Sequence, residues 1–156
     1  MTQVTLGKAV PDFSLPSTAG ADFRLRTARG GWLVLYFYPK DATPGCTTES
    51  AAFRDLHPQF VAAGAQVLGI SRDSLASHAK FRQSLGLPFD LLSDAEESAC
   101  RLFDVIREKN MYGRKVMGVE RSTFLIDAKG VLRHEWRKVK VPGHAENVLE
   151  TLRTAG

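Results

Sequence analysis

One cysteine in the stretch Tyr38-Pro-Lys-Asp-Ala-Thr-Pro-Gly-Cys46-Thr stands where chemistry can be done. A dithiol redox turn would carry two cysteines in this setting, and here Thr43 occupies the place of the first. Thr43 is a good helix N-cap and Pro44 suits the first helical position. Gly45 and Cys46 then become the second and third residues of a helix, and the Thr43 side chain is expected to meet the Cys46 N–H. A sulfur in a first helical turn faces free N–H groups and the positive end of the helix dipole, which favour thiolate over thiol. Gly45 leaves the approach to that sulfur without a side chain in the way. The bland alternative is an inert cysteine in a tight turn, but cap, proline, glycine and helix start all agree against it.

The elements that must hold this turn can be read on either side of it. WLVLYFY, Trp32 to Tyr38, is a near-continuous apolar run, as expected of a strand buried on both faces. The helix after the turn shows Phe53, Leu56, Phe60 and Ala63 at helical spacing, with Gly64 as a stop and Pro58 as an expected kink. AQVLGIS, Ala65 to Ser71, reads as a second buried strand, Ser74 to Leu85 as a helix closed by Gly86, and Phe89 to Leu92 as a short strand. Ser93 and Glu96 form an S-x-x-E capping box, which predicts a helix from Asp94 to about Val105. STFLID and VLRHEWRKVKV flank a turn at Asp127 to Gly130 and predict a hairpin, followed by a helix over His144 to Arg153. Phe13 to Leu15 and Phe23 to Leu25 predict another hairpin at the start. Arg107 to Glu120 is expected to be a long connection, either a functional loop at a substrate entrance or a solvated charge run. The order βαβ…ββα predicts an α/β class, with a central mixed sheet flanked by helices and an N-terminal β-hairpin: the thioredoxin-like fold.

The totals bound the rest. The chain has 156 residues, 44% hydrophobic and 24% charged, enough for one domain, 1–156, with its own core. Net charge is +4 and pI about 9.3, from scattered Arg and Lys. No basic tract interleaved with aromatics points to nucleic acid. No apolar run has the length of a signal peptide or a membrane span, so a cytoplasmic location is expected. Two cysteines in that compartment read as a filler or a reactive group, not a staple. His57, His78, His134 and His144 show no metal-ligand spacing, and neither metal nor cofactor is expected.

PKDATPGCT resembles the P-x-x-x-T-x-x-C signature of the peroxiredoxins. The TPGCT form with Glu49 just after it resembles the bacterioferritin comigratory protein, or peroxiredoxin Q, branch. ERSTFLID, Glu120 to Asp127, is the second matching piece, and Arg121 matches that family's active-site arginine. Weaker similarity runs through VPDF, LGISRDS, LLSD and the last helix, over nearly the whole chain. The resemblance implies reduction of hydrogen peroxide and organic hydroperoxides, with thioredoxin, glutaredoxin or glutathione as reductant, by a monomer. Cys46 would be the peroxidatic cysteine. Thr43 would hydrogen-bond the sulfur and the peroxide, Pro39 would shield the site, and Arg121 would hold the thiolate and polarise the peroxide. The physics agrees: charge appears on the leaving oxygen only as the O–O bond breaks, so donors fixed there favour the transition state over the substrate. An arginine stays charged and offers several donors. A structural ion pair of Arg121 with Glu49 or Glu120 is compatible with that, since it would orient the guanidinium.

The match departs from many relatives at the resolving cysteine. One subset carries it five residues after the first, where this chain has Ala51. Another carries it on the helix after the second core strand, but Ser74 to Leu85 contains none. Cys100 is the other thiol, 54 residues on (100 minus 46). On a helix with Ala95, Ala99, Leu102, Phe103 and Ile106 as its apolar face, Cys100 would lie roughly 115° from the centre of that face, on the flank. The expectation is therefore a one-cysteine enzyme resolved by an external thiol. A two-cysteine enzyme using Cys100, and a redox-sensing module without turnover, are the alternatives. A protein thiol–disulfide oxidoreductase is disfavoured by the missing C-x-x-C.

Overall fold

The structure is a computed structural model that describes residues 3–28 and 30–155. After a two-stranded hairpin of β1 (Ser14–Leu15) and β2 (Phe23–Arg24) come β3 (Trp32–Phe37), α1 (Pro44–Ala62), β4 (Ala65–Ser71) and α2 (Leu75–Leu85). β5 (Leu91–Ser93), α3 (Ser98–Leu102), β6 (Ile106–Met111) and β7 (Arg114–Val119) follow, then β8 (Ser122–Ile126), β9 (Leu132–Trp136) and α4 (His144–Ala155). The main sheet has the order β5-β4-β3-β8-β9. β3 pairs parallel with β4, and β4 with β5, while β8 runs antiparallel to both β3 and β9. This is the expected mixed α/β sheet with the expected N-terminal hairpin.

Strand alternation divides the interior in two. Leu33, Leu35 and Phe37 join a core with the N-terminal segment, α3 and Val119. Val34, Tyr36 and Tyr38 point the other way, into a core with α1, α2 and α4. α1 buries Cys46, Glu49, Ser50, Phe53 and Phe60, a stripe at helical spacing. Tyr36 stacks on Phe53 with ring centroids 4.7 Å apart and its hydroxyl meets Ser50 Oγ at 2.9 Å. α1 runs through Pro58 as one element to Ala62, and Gly64, at φ 84, turns the chain into β4.

Three expectations are corrected. The Ser93–Glu96 capping box does not form: Ser93 Oγ donates to Asp73 O at 2.6 Å, and α3 is one short helix starting at Ser98. Its cap is the Asp94 carboxylate, which accepts from Ala99 N at 3.2 Å and Cys100 N at 2.6 Å. Cys100 is accordingly not on a flank but fully buried, at 0% exposure. The 107–120 segment is not an irregular loop but the β6–β7 hairpin, paired from Ile106–Val119 to Met111–Arg114. Its two-residue turn, Tyr112–Gly113, has positive φ at both positions (53 and 78), the primed geometry that suits the twist of paired strands.

Candidate active site

The site forms where β3 ends and β8 begins. Phe37 pairs with Ser122, so the chain leaving β3 and the residue entering β8, Arg121, lie at the same edge of the sheet. Tyr38 N donates to Ile70 O at 3.0 Å as the last tie to β4. Half-buried Pro39 follows, and Ala42 takes the left-handed φ of 63 before Thr43 returns to an extended backbone and Pro44 opens α1. Binding crevices of open α/β sheets commonly lie at the carboxyl ends of parallel strands, which is where Cys46 sits.

Cys46 is 1% exposed. Arg121 Nη2 donates to its sulfur at 3.5 Å, and Arg121 Nη1 donates to Glu49 Oε1 at 2.7 Å. Glu49 is also 1% exposed, and its Oε2 has no hydrogen-bond partner among the described residues. Burial pushes the Glu49 carboxyl up to about 7, although the charge and hydrogen bond of Arg121 pull it down. One carboxylate thus fixes one edge of the guanidinium and leaves the other edge for the sulfur. A β-carbon on Gly45 would stand 3.1 Å from Arg121 Nη2, so the glycine makes room first of all for the arginine. The remaining donors of this fixed cation can meet an oxyanion formed beside the sulfur.

Cys46, Gly45, Glu49 and Arg121 are brought together, as the sequence suggests; Thr43 behaves differently. It occupies the N-cap position with no side-chain capping bond, and its hydroxyl donates to Lys40 O at 2.7 Å. The threonine therefore holds the loop at Lys40 and does not reach the Cys46 N–H. Cys100 belongs to the opposite core from Cys46. Burial and the neighbouring Asp94 push its thiol well above its ordinary value.

Two of the four histidines, His78 and His144, are buried and hydrogen-bonded. His144 Nε2 lies 2.8 Å from Thr123 Oγ1, and its ring packs edge-on to Phe53 and Trp136. Burial, with the Arg121 charge adding to it, pushes His144 down to about 4. His78, at 0% exposure, joins Asp41 and Asp73 with donor and acceptor atoms within 4.8 Å of one another. A spacing search cannot find that cluster, because its members come from a loop, a strand end and a helix.

The chain matches the AhpC/TSA family over residues 6–135. It is 52% identical to peroxiredoxin Bcp of Xanthomonas campestris over 98% of this chain and 97% of that one. It is 47% identical to peroxiredoxin Bcp of Bacillus subtilis over 96% of each. Among solved structures, Xanthomonas campestris peroxiredoxin Q superposes with a TM-score of 0.90 at 52% identity, covering 97% of this chain and 96% of that one. The bacterioferritin comigratory protein of the same organism, studied for alkyl peroxide reduction, gives 0.90 at 50% identity over 99% of both chains. With its fold, its cysteine at a helix start and relatives at this level over nearly its whole length, the chain belongs to the AhpC/TSA family, as a thiol-dependent peroxidase of the peroxiredoxin Bcp/Q branch.

Proposed function

We propose that the protein reduces hydrogen peroxide and organic hydroperoxides with Cys46 as its one essential cysteine, and that an external thiol regenerates it. The Cys46 thiolate attacks one peroxide oxygen. An S–O bond forms, the O–O bond breaks, and the leaving oxygen departs as alkoxide or hydroxide and takes up a proton, leaving sulfenic acid on Cys46. Arg121 holds the thiolate and stabilises the leaving oxygen, Glu49 orients Arg121, Gly45 gives it space, and Pro39 shields the sulfur. With its hydrogen committed to Lys40 O, Thr43 serves the peroxide through its oxygen lone pairs, accepting the peroxide O–H. A thiol of glutathione, glutaredoxin or thioredoxin then attacks the sulfenic sulfur, releasing water, and a second thiol frees Cys46.

The observation that carries the one-cysteine reading is the placement of the two sulfurs in separate cores, with the main sheet between them. A disulfide needs Cα atoms within about 7 Å, so Cys100 would have to leave its core for the other face of the sheet. We further propose that the chain is one domain and acts as a cytoplasmic monomer; among the described residues no helix is long and apolar enough to cross a membrane. Steady-state turnover of hydrogen peroxide and an alkyl hydroperoxide with each reductant in turn tests the reading. Turnover should vanish in Cys46→Ser and survive in Cys100→Ser; loss in Cys100→Ser with the fold intact would make the enzyme a two-cysteine type.

A further inference from the structure

Breaking the O–O bond leaves an oxygen that needs a proton, in a site nearly closed to water. Hydroxide and alkoxide are strong bases, and a positioned acid speeds their departure. Cys46 and Glu49 are each 1% exposed and lie on one buried stripe of α1, with the Arg121 guanidinium spanning both. Arg121 Nη1 donates to Glu49 Oε1 at 2.7 Å, and Nη2 donates to the sulfur at 3.5 Å. Glu49 Oε2 is buried and has no partner among the described residues. Left ionised, that oxygen is a buried charge with nothing donating to it, which is costly; protonated, the group is neutral.

The charges around the guanidinium give the state of the carboxyl. The attacking group is thiolate, not thiol. With Cys46 as thiolate, Arg121 faces two buried acids with one positive charge. A second anion there would lie uncompensated in a medium without water, so the carboxyl keeps a proton. Oε1 accepts from the arginine whether the group is acid or carboxylate, which puts that proton on Oε2. Burial raises the carboxyl to about 7 against the pull of Arg121, in agreement with the charge count. The neighbouring groups do not upset it. The Tyr36 hydroxyl of β3 lies 2.9 Å from Ser50 Oγ, and burial keeps it protonated. His144 of α4 is pushed down to about 4, by burial first and the Arg121 charge second, and is neutral. Lys109 of β6 feels the charges of Arg121 and Cys46, but its ammonium is engaged by Val119 O at 2.7 Å, and Arg121 is the cation that acts on Glu49.

We infer that Glu49 is the proton store of the peroxide step: it holds on Oε2 the proton that Cys46 gives up, and passes it to the leaving oxygen. The thiolate supplies the electron pair that forms the S–O bond as the O–O bond breaks. The hydrogen already on the attacked oxygen stays there, giving sulfenic acid. The leaving oxygen takes the Oε2 hydrogen and departs as water or alcohol, and Glu49 is left as carboxylate. Arg121 therefore faces one anion throughout, thiolate before the step and carboxylate after it, since sulfenic acid is neutral. The thiol that later frees Cys46 as thiolate brings a proton, and Glu49 takes it back. That return rests on regeneration by an external thiol; the forward transfer rests only on Cys46 as the group that attacks the peroxide. Glu49 is then a catalytic residue as well as the support of the arginine.

The choice of leaving group separates those two roles. In Glu49→Gln the amide oxygen can still accept from Arg121, but there is no proton to pass on. Stopped-flow oxidation of this variant by hydrogen peroxide or an alkyl hydroperoxide should slow by about 100-fold, the scale of losing a general acid. Peracetic acid expels a stable carboxylate that needs no proton, and its rate should fall by only a small fraction of that. A misplaced arginine would slow all three oxidants alike, so equal losses, or no loss, overturn the inference. Infrared difference spectra of the unsubstituted protein need no variant to fold. As one equivalent of hydrogen peroxide oxidises Cys46, the carbonyl band of a buried carboxylic acid should vanish and a carboxylate band appear. Glu49→Gln should lack that pair of bands, and their persistence there would assign the proton elsewhere and overturn the inference. If Cys46 gains its oxygen while no acid band disappears, the proton store is wrong and the peroxidase reading stands. If peroxide leaves Cys46 unoxidised, the peroxidase reading falls and the proton store with it.

Discussion

Gly45, Glu49 and Arg121 are grouped beside the Cys46 sulfur, and each can be perturbed in its own way. In Gly45→Ala the new methyl meets Arg121 Nη2 at 3.1 Å, so the guanidinium must give way while the thiol stays in place. The peroxide rate should fall by about tenfold, as expected when a reacting group is misplaced by a fraction of an ångström, with thermal stability little altered. Arg121→Ala removes the donor altogether. Its reaction with peroxide should drop by about 100-fold, the scale of losing one oxyanion donor, while alkylation by a neutral reagent, which needs only the thiolate, drops far less. Equal losses in stopped-flow peroxide oxidation and in alkylation would show that Arg121 serves the thiol alone. At this scale the sequence was a good guide to which residues meet, because TPGCT and ERSTF each fix a local geometry. It misled about Thr43, whose hydroxyl was expected to accept from the Cys46 N–H and instead donates to the carbonyl three residues back.

At the scale of elements, the helix that carries Cys46 is seated through an aromatic stack on β3, and the seat is tight. A β-carbon on Gly69 of β4 would lie 2.8 Å from Leu91 Cδ2 and 2.8 Å from Tyr36 Cζ. Tyr36 in turn holds Phe53 and Ser50 of α1. Gly69→Ala should therefore destabilise the fold by about 1–3 kcal/mol, the usual cost of overpacking. Urea unfolding would measure it, and an unchanged midpoint would mean that the sheet and α1 can separate freely. The strands and long helices were legible because buried runs and helical stripes are strong patterns. α3 and the β6–β7 hairpin were not. Ser93 found Asp73 as a tertiary partner, which silenced the capping box. In REKNMYGRKVMGVE the charges hid the alternation, and the Tyr112–Gly113 turn was the signal that could have revealed the hairpin.

Over the whole molecule, the sheet sorts the chemistry onto one side. Cys46 shares its core with α1, α2 and α4; Cys100 fills the other. The mixed character of the sheet was legible from the order of elements. The sorting of the two sulfurs was not, since it depends on which face α3 packs against, and no helical stripe reveals that. The same side carries His144, moved from its ordinary 6.5 down to about 4 by burial. Between those values the unfolded chain binds the proton and the folded protein does not, so His144 makes stability fall as pH drops through that window. In His144→Gln the stability profile from pH 6.5 to 4 should be flatter than in the unsubstituted protein by on the order of 1–2 kcal/mol. Glu49, raised to about 7, contributes with the opposite sign, losing stability as pH rises toward 7, and it cancels in that comparison. Denaturant midpoints across the range would show it, and parallel profiles would mean that His144 is not buried neutral.

We propose that Cys46 alone is oxidised and waits for an outside thiol. Intact mass spectrometry after one equivalent of hydrogen peroxide, with dimedone present and no reductant, tests it most directly. One dimedone adduct per chain is expected, mapped to Cys46, with Cys100 still a free thiol and full reversal to unmodified protein when glutathione replaces dimedone. A chain lighter by two hydrogens that refuses dimedone and yields a Cys46–Cys100 cross-linked peptide would contradict it.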